Sequence, residues 1–184
     1  MNVGLSLTCA LVAALSLPPA ADAQDRRDVR VSEEVADQVN RYAQFTVFDD
    51  ISAAVEGGIV TVTGNVTMPY KKKEIEKRIA AIDGVREVRS TIDVLPVSTF
   101  DEDLRRRIAR AIYGNPSFWS YASMARPSIH IIVKHGRVTL TGVVNSHVDR
   151  MLARSLATGF GELSVTNDLR TDDEVRSAQR ASVF

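Results

Sequence analysis

The chain has 184 residues, 45% of them hydrophobic, and a formal net charge of zero. Because 23 basic residues balance 23 acidic ones, the composition excludes a nucleic-acid-binding protein of the strongly basic kind. A single cysteine excludes a fold that depends on disulfides, so burial of apolar residues must stabilise the chain.

The N-terminal segment has the pattern of a secretory signal peptide. Residues 2–17 are apolar or small and carry no charge, and an Ala-Asp-Ala tripeptide of the cleavage type ends at residue 23. We therefore expect residues 1–23 to be removed, which leaves Gln24 as the first residue of a periplasmic protein. The alternative is a retained membrane anchor, for which the apolar stretch is short. Cys9 lies inside this stretch and not at its end, so we expect no lipid attachment.

The polar residues 24–31 are expected to form a flexible leader before a first structural unit, residues 32–96. Ser32 is a good N-cap, and apolar residues follow it at helical spacing. The predicted elements of this unit are a helix from Ser32 to about Gln44, a hairpin over 51–66, a helix from Pro69 with a stripe of Ile75, Ile79 and Ile82 that ends at Gly84, and a strand with Val88, Ile92 and Val94.

The hairpin of the first unit recurs 78 residues later. Residues 58–64 read GIVTVTG and residues 136–142 read GRVTLTG, so five of seven positions are identical. The alternation of apolar residues with threonine predicts a strand with one buried face, on which Val62 and Leu140 are equivalent. This duplication predicts two copies of one fold. The glycines of the turn and strand motif are Gly57, Gly58, Gly64, Gly136 and Gly142.

The second unit, residues 97–171, repeats the order of elements with extra material between its first helix and its hairpin. Residues 95–100 form a short joint between the two units, so we expect the units to touch. A polar tail, frayed or weakly helical, is expected over 172–184. The apolar positions of the predicted elements are Leu104, Ile108 and Ile112 in the first helix, Val148, Leu152 and Leu156 in the second, and Leu163, Val165 and Leu169 in the last strand.

The predicted fold class is α+β, with two tandem α-β-β-α-β units. Each unit is expected to be a three-stranded mixed sheet with two helices packed on one face, because a small sheet cannot bury both faces.

The duplicated α-β-β-α-β pattern, its Gly-x-Val-Thr-x-Thr-Gly strand and the closing strand 165–169 resemble BON domains. The resemblance covers residues 32–171. Members with two such domains include an osmotically inducible periplasmic protein and an outer-membrane lipoprotein that binds anionic phospholipid. The resemblance therefore implies a binding module of the cell envelope with a role in osmotic or envelope stress. This chain departs from the lipoprotein, because it has no cysteine at the predicted mature N-terminus.

The residues do not suggest an enzyme, a cofactor, a metal site or a small-molecule substrate. The sequence has no Gly-x-Ser-x-Gly elbow, and its carboxylates are scattered over predicted helix surfaces. The three histidines are expected to be surface and turn residues rather than metal ligands. They are His130, His135 and His147.

Two stretches combine features of a contact surface for anionic phospholipid or another envelope component. Cations attract anionic headgroups, and Trp and Tyr favour the membrane interface. For the aromatic residues, filling the core is the alternative; for the basic patch, it is a solvated helix face. The main candidates are Arg105, Arg106, Arg107, Arg110, Phe118, Trp119 and Tyr121, and the secondary basic patch is Lys71, Lys72, Lys73, Lys77 and Arg78.

A rival hypothesis makes the chain a protein-interaction or chaperone-like adaptor. In that hypothesis an apolar outer sheet face around Ile132 holds another protein. Lipid binding should weaken steeply with salt and require anionic headgroups, whereas an apolar contact with a protein should depend on neither.

Overall fold

A computed structural model describes residues 20–181 of the chain. It contains two α-β-β-α-β units in tandem, here called repeat 1 and repeat 2, as the sequence predicts. The elements of repeat 1 are helix α1 (Ala20–Asn40), strands β1 (Asp50–Glu56) and β2 (Ile59–Val66), helix α2 (Pro69–Ala80) and strand β3 (Glu87–Val94). Those of repeat 2 are helix α3 (Thr99–Tyr113), a 3-10 turn (Pro116–Phe118), helix α4 (Trp119–Ala122), strands β4 (Ile129–Lys134) and β5 (Arg137–Val144), helix α5 (His147–Leu156), strands β6 (Ser164–Asn167) and β7 (Arg170–Thr171), and helix α6 (Asp172–Ala181).

Each repeat is built on a mixed sheet. In repeat 1 the order is β1-β2-β3, with β1 antiparallel and β3 parallel to the central strand. Repeat 2 has the order β4-β5-β6, and β7 pairs with the far end of β5 as a fourth strand. A helix must link the parallel strands, because a short turn cannot connect them. The single strand that the sequence predicts at the end of repeat 2 is divided into β6 and β7. Residues 172–181 of the expected tail form α6.

Both central strands bury the predicted face. Val62 and Leu140 have no exposed area, and each lies in the core cluster of its repeat. In each repeat the buried residues of two helices join the same cluster, so both helices cover one sheet face. The predicted strand phase and the two-layer arrangement are confirmed.

Gly64 and Gly142, which end the two repeated motifs, are required because another backbone segment approaches them closely. A methyl group on Gly64 would lie 2.0 Å from the carbonyl oxygen of Asp50, and one on Gly142 would lie 1.9 Å from that of Ser128. Both glycines also have positive φ, at 131° and 111°. Only glycine fits such a position in a strand.

Helix α1 begins earlier than the sequence predicts, so the expected flexible leader at 24–31 is wrong. Val31 is buried in the core of repeat 1. The Asp28 carboxylate accepts the backbone N–H groups of Gly57 and Gly58 at 2.7 and 3.1 Å. These contacts tie the first half of the helix to the β1–β2 turn, and sequence periodicity alone does not reveal them.

Repeat 2 uses the same tie. Asp101 accepts the N–H groups of His135 and Gly136, both at 2.8 Å. Asp28 and Asp101 each lie three positions before a buried apolar residue of their helix, so Val31 is equivalent to Leu104. A carboxylate three residues before each apolar stripe is the signal that was available in the sequence.

The two repeats touch, as the short joint predicts. The N–H of Ile131 donates to the carbonyl of Val47 at 2.7 Å, and Phe48 packs against the core of repeat 2. The rings of Phe45 and His130 lie 5.5 Å apart. Repeat 1 therefore contacts strand β4. Among residues 20–181, no helix is long and apolar enough to cross a membrane.

Candidate functional site

The basic stripe of α3 is divided between the interior and the surface. Arg105 is only 4% exposed, and its Nη2 donates to the carbonyl oxygen of Val133 at 2.6 Å. This guanidinium lies between helix and sheet, with Glu102 beside it at 3.3 Å. The prediction of Arg105 as a lipid contact is wrong, because the side chain is buried and its Nη2 and Nη1 atoms donate to Val133 and Glu102.

Three further arginines of α3 keep exposed or half-exposed side chains. Arg106 pairs with Glu102 at 2.9 Å, and Arg107 pairs with Asp103 at 2.7 Å. Arg110 is exposed and makes no salt bridge with any residue of the range 20–181. A cation without an acidic partner attracts an anion more strongly than a paired one, so Arg110 contributes most to the electrostatics of this helix.

The three candidate aromatic residues also separate. Phe118 and Tyr121 are buried, with ring centroids 5.5 Å apart, so their prediction as surface contacts is wrong. Trp119 is 74% exposed. Successive residues of a helical turn point about 100° apart, which lets Phe118 and Tyr121 fill the core while Trp119 faces solvent.

Tyr121 also provides a buried polar link in repeat 2. Its hydroxyl accepts the N–H of Asn145 and donates to the Asp149 carboxylate, both at 2.7 Å. Burial raises the pKa of Tyr121 to about 12. The extra segment of repeat 2 thus fills the core and fixes the start of α5.

Repeat 1 has an ion pair where repeat 2 has this tyrosine. Asp49 is completely buried and accepts the Lys71 ammonium at 2.6 Å, with further hydrogen bonds from Thr46 and Thr67. Burial raises the pKa of Asp49, but the hydrogen bonds from Lys71, Thr67 and Thr46 outweigh it and hold this pKa below its ordinary value. Lys71 is therefore unavailable to a ligand, and its place in the secondary basic patch is wrong.

Only part of the secondary basic patch faces solvent freely. Lys72 donates to the carbonyl oxygen of Ile92 at 2.9 Å. Arg78 pairs with Glu74 at 3.0 Å and lies 5.0 Å from the centre of the Tyr42 ring. The exposed cations that remain are Lys73 and Lys77.

Exposed apolar residues lie on the helices of repeat 2. Val148 and Met151 of α5 are exposed, although the sequence places Val148 in the core stripe. Ala153 is buried in their place, and Leu152 and Leu156 are half-buried. Helix α5 is thus rotated relative to the prediction, and in this orientation Asp149 accepts the Tyr121 hydroxyl.

These residues define a candidate surface, here called the helical face of repeat 2. Helices α3 and α5 pack on the same side of the sheet and contact each other, and α4 contacts α3. The exposed side chains of these helices are therefore available on the helical side of repeat 2. The helical face consists of Arg110, Trp119, Val148, Met151 and Arg154.

The sheet face around Ile132, on which the rival hypothesis depends, does not expose this isoleucine. Ile132 is only 6% exposed and lines a shallow cleft together with Asn65 of repeat 1. Because the first repeat lies against this part of the sheet, the rival hypothesis loses its apolar docking face.

The histidines lie apart from one another on different elements. His130 is half-buried against Phe45, His135 occupies the β4–β5 turn, and His147 contacts Arg150 at 2.6 Å. Within the described part of the chain, no group of three or more His, Cys, Asp or Glu side chains is placed to hold a metal ion.

Comparison with known proteins identifies both repeats. A family model described as BON domain matches residues 27–96 and again residues 100–173. The first match begins before the expected start at residue 32, in agreement with the position of Asp28. No curated protein matches the chain significantly.

Two solved structures show a weak similarity. One is CdsD, a structural protein of the type III secretion system of Chlamydia trachomatis, with 14% identity, a TM-score of 0.32 and coverage of 83% of this chain and 68% of that one. The other is the C-terminal domain of CdsD, with 14% identity, a TM-score of 0.32 and coverage of 77% and 65%. A similarity of this size carries no functional argument.

Proposed function

The chain belongs to the BON domain family, and we propose that it binds the surface of anionic phospholipid membranes through the helical face of repeat 2. Membership in this family indicates a binding module associated with the cell envelope. The lipid ligand, a periplasmic location after removal of residues 1–23, the absence of a lipid anchor and a role in osmotic or envelope stress are parts of the proposal.

The exposed Trp119 is the observation that carries the proposal. A tryptophan side chain that fills no core position leaves a large apolar area in water, at a cost that a membrane interface relieves. Repeat 1 closes its core without the extra segment that holds this residue. The fold therefore does not require a tryptophan at this position, whereas a membrane contact explains it.

The neighbouring charges make a weak and reversible contact. One exposed cation near an anionic surface contributes about 1 kcal/mol. Arg110 has no acidic partner in the range 20–181, whereas Arg106 and Arg107 are already paired on the same helix. Partial burial of one tryptophan and two aliphatic side chains adds a few kcal/mol at most, on the order of 25 cal/mol per Å². The sum suits a protein that associates with the membrane and leaves it again.

An exported form is compatible with the fold. Cleavage before Gln24 would shorten α1 by four residues and keep both Asp28 and Val31. The hydrogen bonds to the β1–β2 turn would therefore survive processing.

Vesicle binding tests the proposal directly. Trp119 is the only tryptophan, so its fluorescence reports on the helical face alone. We expect a blue shift of its emission with vesicles that contain phosphatidylglycerol, weaker binding at high salt, and no shift with neutral phosphatidylcholine vesicles.

Two variants separate a surface role from a structural one. Trp119→Ala should keep the thermal stability of the protein and lose most of the vesicle binding, measured by co-sedimentation. Tyr70→Ala is the matched control, because Tyr70 is an exposed aromatic residue beside the lysines of repeat 1. Unchanged binding by Trp119→Ala would overturn the proposal, and loss of binding by Tyr70→Ala alone would assign the contact to repeat 1.

A further inference from the structure

The β4–β5 turn of repeat 2 carries a second group of exposed apolar residues. Phe100 is 47% exposed and Leu163 is 72% exposed. Both adjoin the same point of the turn, since a methyl group on Gly136 would lie 3.5 Å from Phe100 Cε1 and 3.3 Å from Leu163 Cγ. The N–H of Leu163 also donates to the Gly136 carbonyl at 2.8 Å. The two side chains thus form one apolar point at this end of the repeat.

Cations surround this apolar point. Lys134 and Arg137 flank the turn and are both exposed. Lys134 reaches Asp93 at 3.1 Å in a pair that is open to solvent, and Arg137 makes no salt bridge within residues 20–181. His135, at the top of the turn, is also exposed. We call this group the turn tip; it consists of Phe100, Lys134, His135, Arg137 and Leu163.

Repeat 1 shows that the fold does not need these residues. Its β1–β2 turn has the same geometry and the same carboxylate tie, yet Glu56, Gly57 and Ile59 stand where repeat 2 has Lys134, His135 and Arg137. Arg86 occupies the position of Leu163, because its N–H donates to the Gly58 carbonyl at 2.8 Å as that of Leu163 does to the Gly136 carbonyl, and it is exposed. Cations therefore lie at both turns, but of the two only the turn of repeat 2 has exposed apolar side chains beside them.

The backbone of His135 strengthens this contrast. His135 has φ of 52° and is the only residue other than glycine with positive φ in the described range 20–181. The equivalent residue of repeat 1 is glycine, which adopts this conformation without strain. A side chain retained at a position of backbone strain indicates that the side chain makes a functional contact.

The turn tip lies far from the tryptophan of the helical face. Phe100 is at the start of α3, and Trp119 follows its C-terminal end. A helix of 15 residues is about 22 Å long at 1.5 Å per residue. Phe100, Asp103, Arg107 and Arg110 are spaced so that they share one side of α3, which can therefore lie along a flat surface and touch it at both ends.

We propose that the turn tip is a second membrane contact, which inserts Phe100 and Leu163 between the headgroups of anionic phospholipids. This inference rests on the proposed function. An anionic bilayer fits better than a protein partner, because two apolar side chains cover far less than the roughly 800 Å² per partner that a stable protein interface buries. Cations around a small apolar point are the arrangement that an anionic membrane surface attracts.

A double variant and a moved tryptophan test the inference. Phe100→Ser with Leu163→Ser should weaken binding to phosphatidylglycerol vesicles about tenfold, since both apolar side chains are lost from the contact. Val29→Ser is the control, as Val29 is an exposed valine of repeat 1. Leu163→Trp in a Trp119→Phe background, which keeps an aromatic ring at position 119, should show a blue shift at vesicle concentrations at which co-sedimentation finds the variant bound.

The outcomes separate this inference from the proposed function. If wild-type Trp119 responds to the vesicles while the double variant binds as tightly as wild type, the turn tip is overturned and the helical face stands. Weaker binding by the double variant without a blue shift of the tryptophan at position 163 also overturns the insertion. A blue shift with polyglutamate but not with vesicles would assign the tip to acidic proteins instead. If the wild-type protein ignores anionic vesicles, both proposals fail.

Discussion

Replacement of Lys71 by Met should destabilise repeat 1, because it leaves a buried carboxylate without its cation. Lys71 Nζ lies 2.6 Å from Asp49 Oδ2, and the side chains are 5% and 0% exposed. Removal of one partner of such a pair costs about 3–5 kcal/mol. Four hydrogen bonds from Thr46 and Thr67 remain on the carboxylate, so we expect the lower end of this range, about 3 kcal/mol.

Urea unfolding followed by far-UV circular dichroism measures the loss. Lys73→Met is the matched control, since Lys73 is an exposed lysine two positions along the same helix. That variant should change the free energy of unfolding by less than about 0.5 kcal/mol. Equal unfolding free energies for the two variants would refute the assignment of Lys71 to the interior.

The same variant should change the response to pH. In the wild type the folded pKa of Asp49 is lowered, so its contribution is present above its ordinary value of 3.8 and is lost as pH falls through the folded pKa. In Lys71→Met, burial dominates and raises this pKa, which penalises the folded state most at neutral pH. The difference in stability between wild type and variant should therefore shrink between pH 7 and pH 3. A constant difference would contradict this reasoning.

Three other outcomes are expected. Leu140→Ala should cost about 2–5 kcal/mol in urea unfolding, because the side chain is fully buried; an unchanged midpoint would mean that the strand phase is wrong. His135→Gly should leave stability equal or raise it by about 1 kcal/mol through relief of the positive φ, and a clear loss would show that the side chain is structural. Mass spectrometry of the exported protein should find Gln24 as the first residue without an acyl group, and either a retained residue 1 or an added lipid mass would contradict the processing.

Patterns that depend on near neighbours were predictable. Alternation along β2 and β5 identified Val62 and Leu140 as core positions, since a strand turns every second side chain to one face. The duplicated glycines identified both hairpins. The apolar spacing of α2 and α3 also identified their buried stripes, because helical periodicity is read within a few turns.

The candidate site was only partly predictable. Arg105 and Arg106 are adjacent in the sequence, yet one donates to Val133 inside the protein and the other faces solvent. Phe118 and Trp119 differ in the same way. Neighbouring helical residues differ by about 100° in direction, so their exposure depends on where the sheet and the next helix lie.

The sequence by itself determined the duplication, the α+β class and the face that each central strand buries, because these follow from local periodicity and from the demands of tight turns. Tertiary structure decided which charged and aromatic side chains stay free to bind. Asp28 reaches a turn 29 residues away, and Lys71 pairs with a carboxylate 22 residues away. Such partners satisfy or bury a polar group only after the chain has folded, and composition does not reveal them.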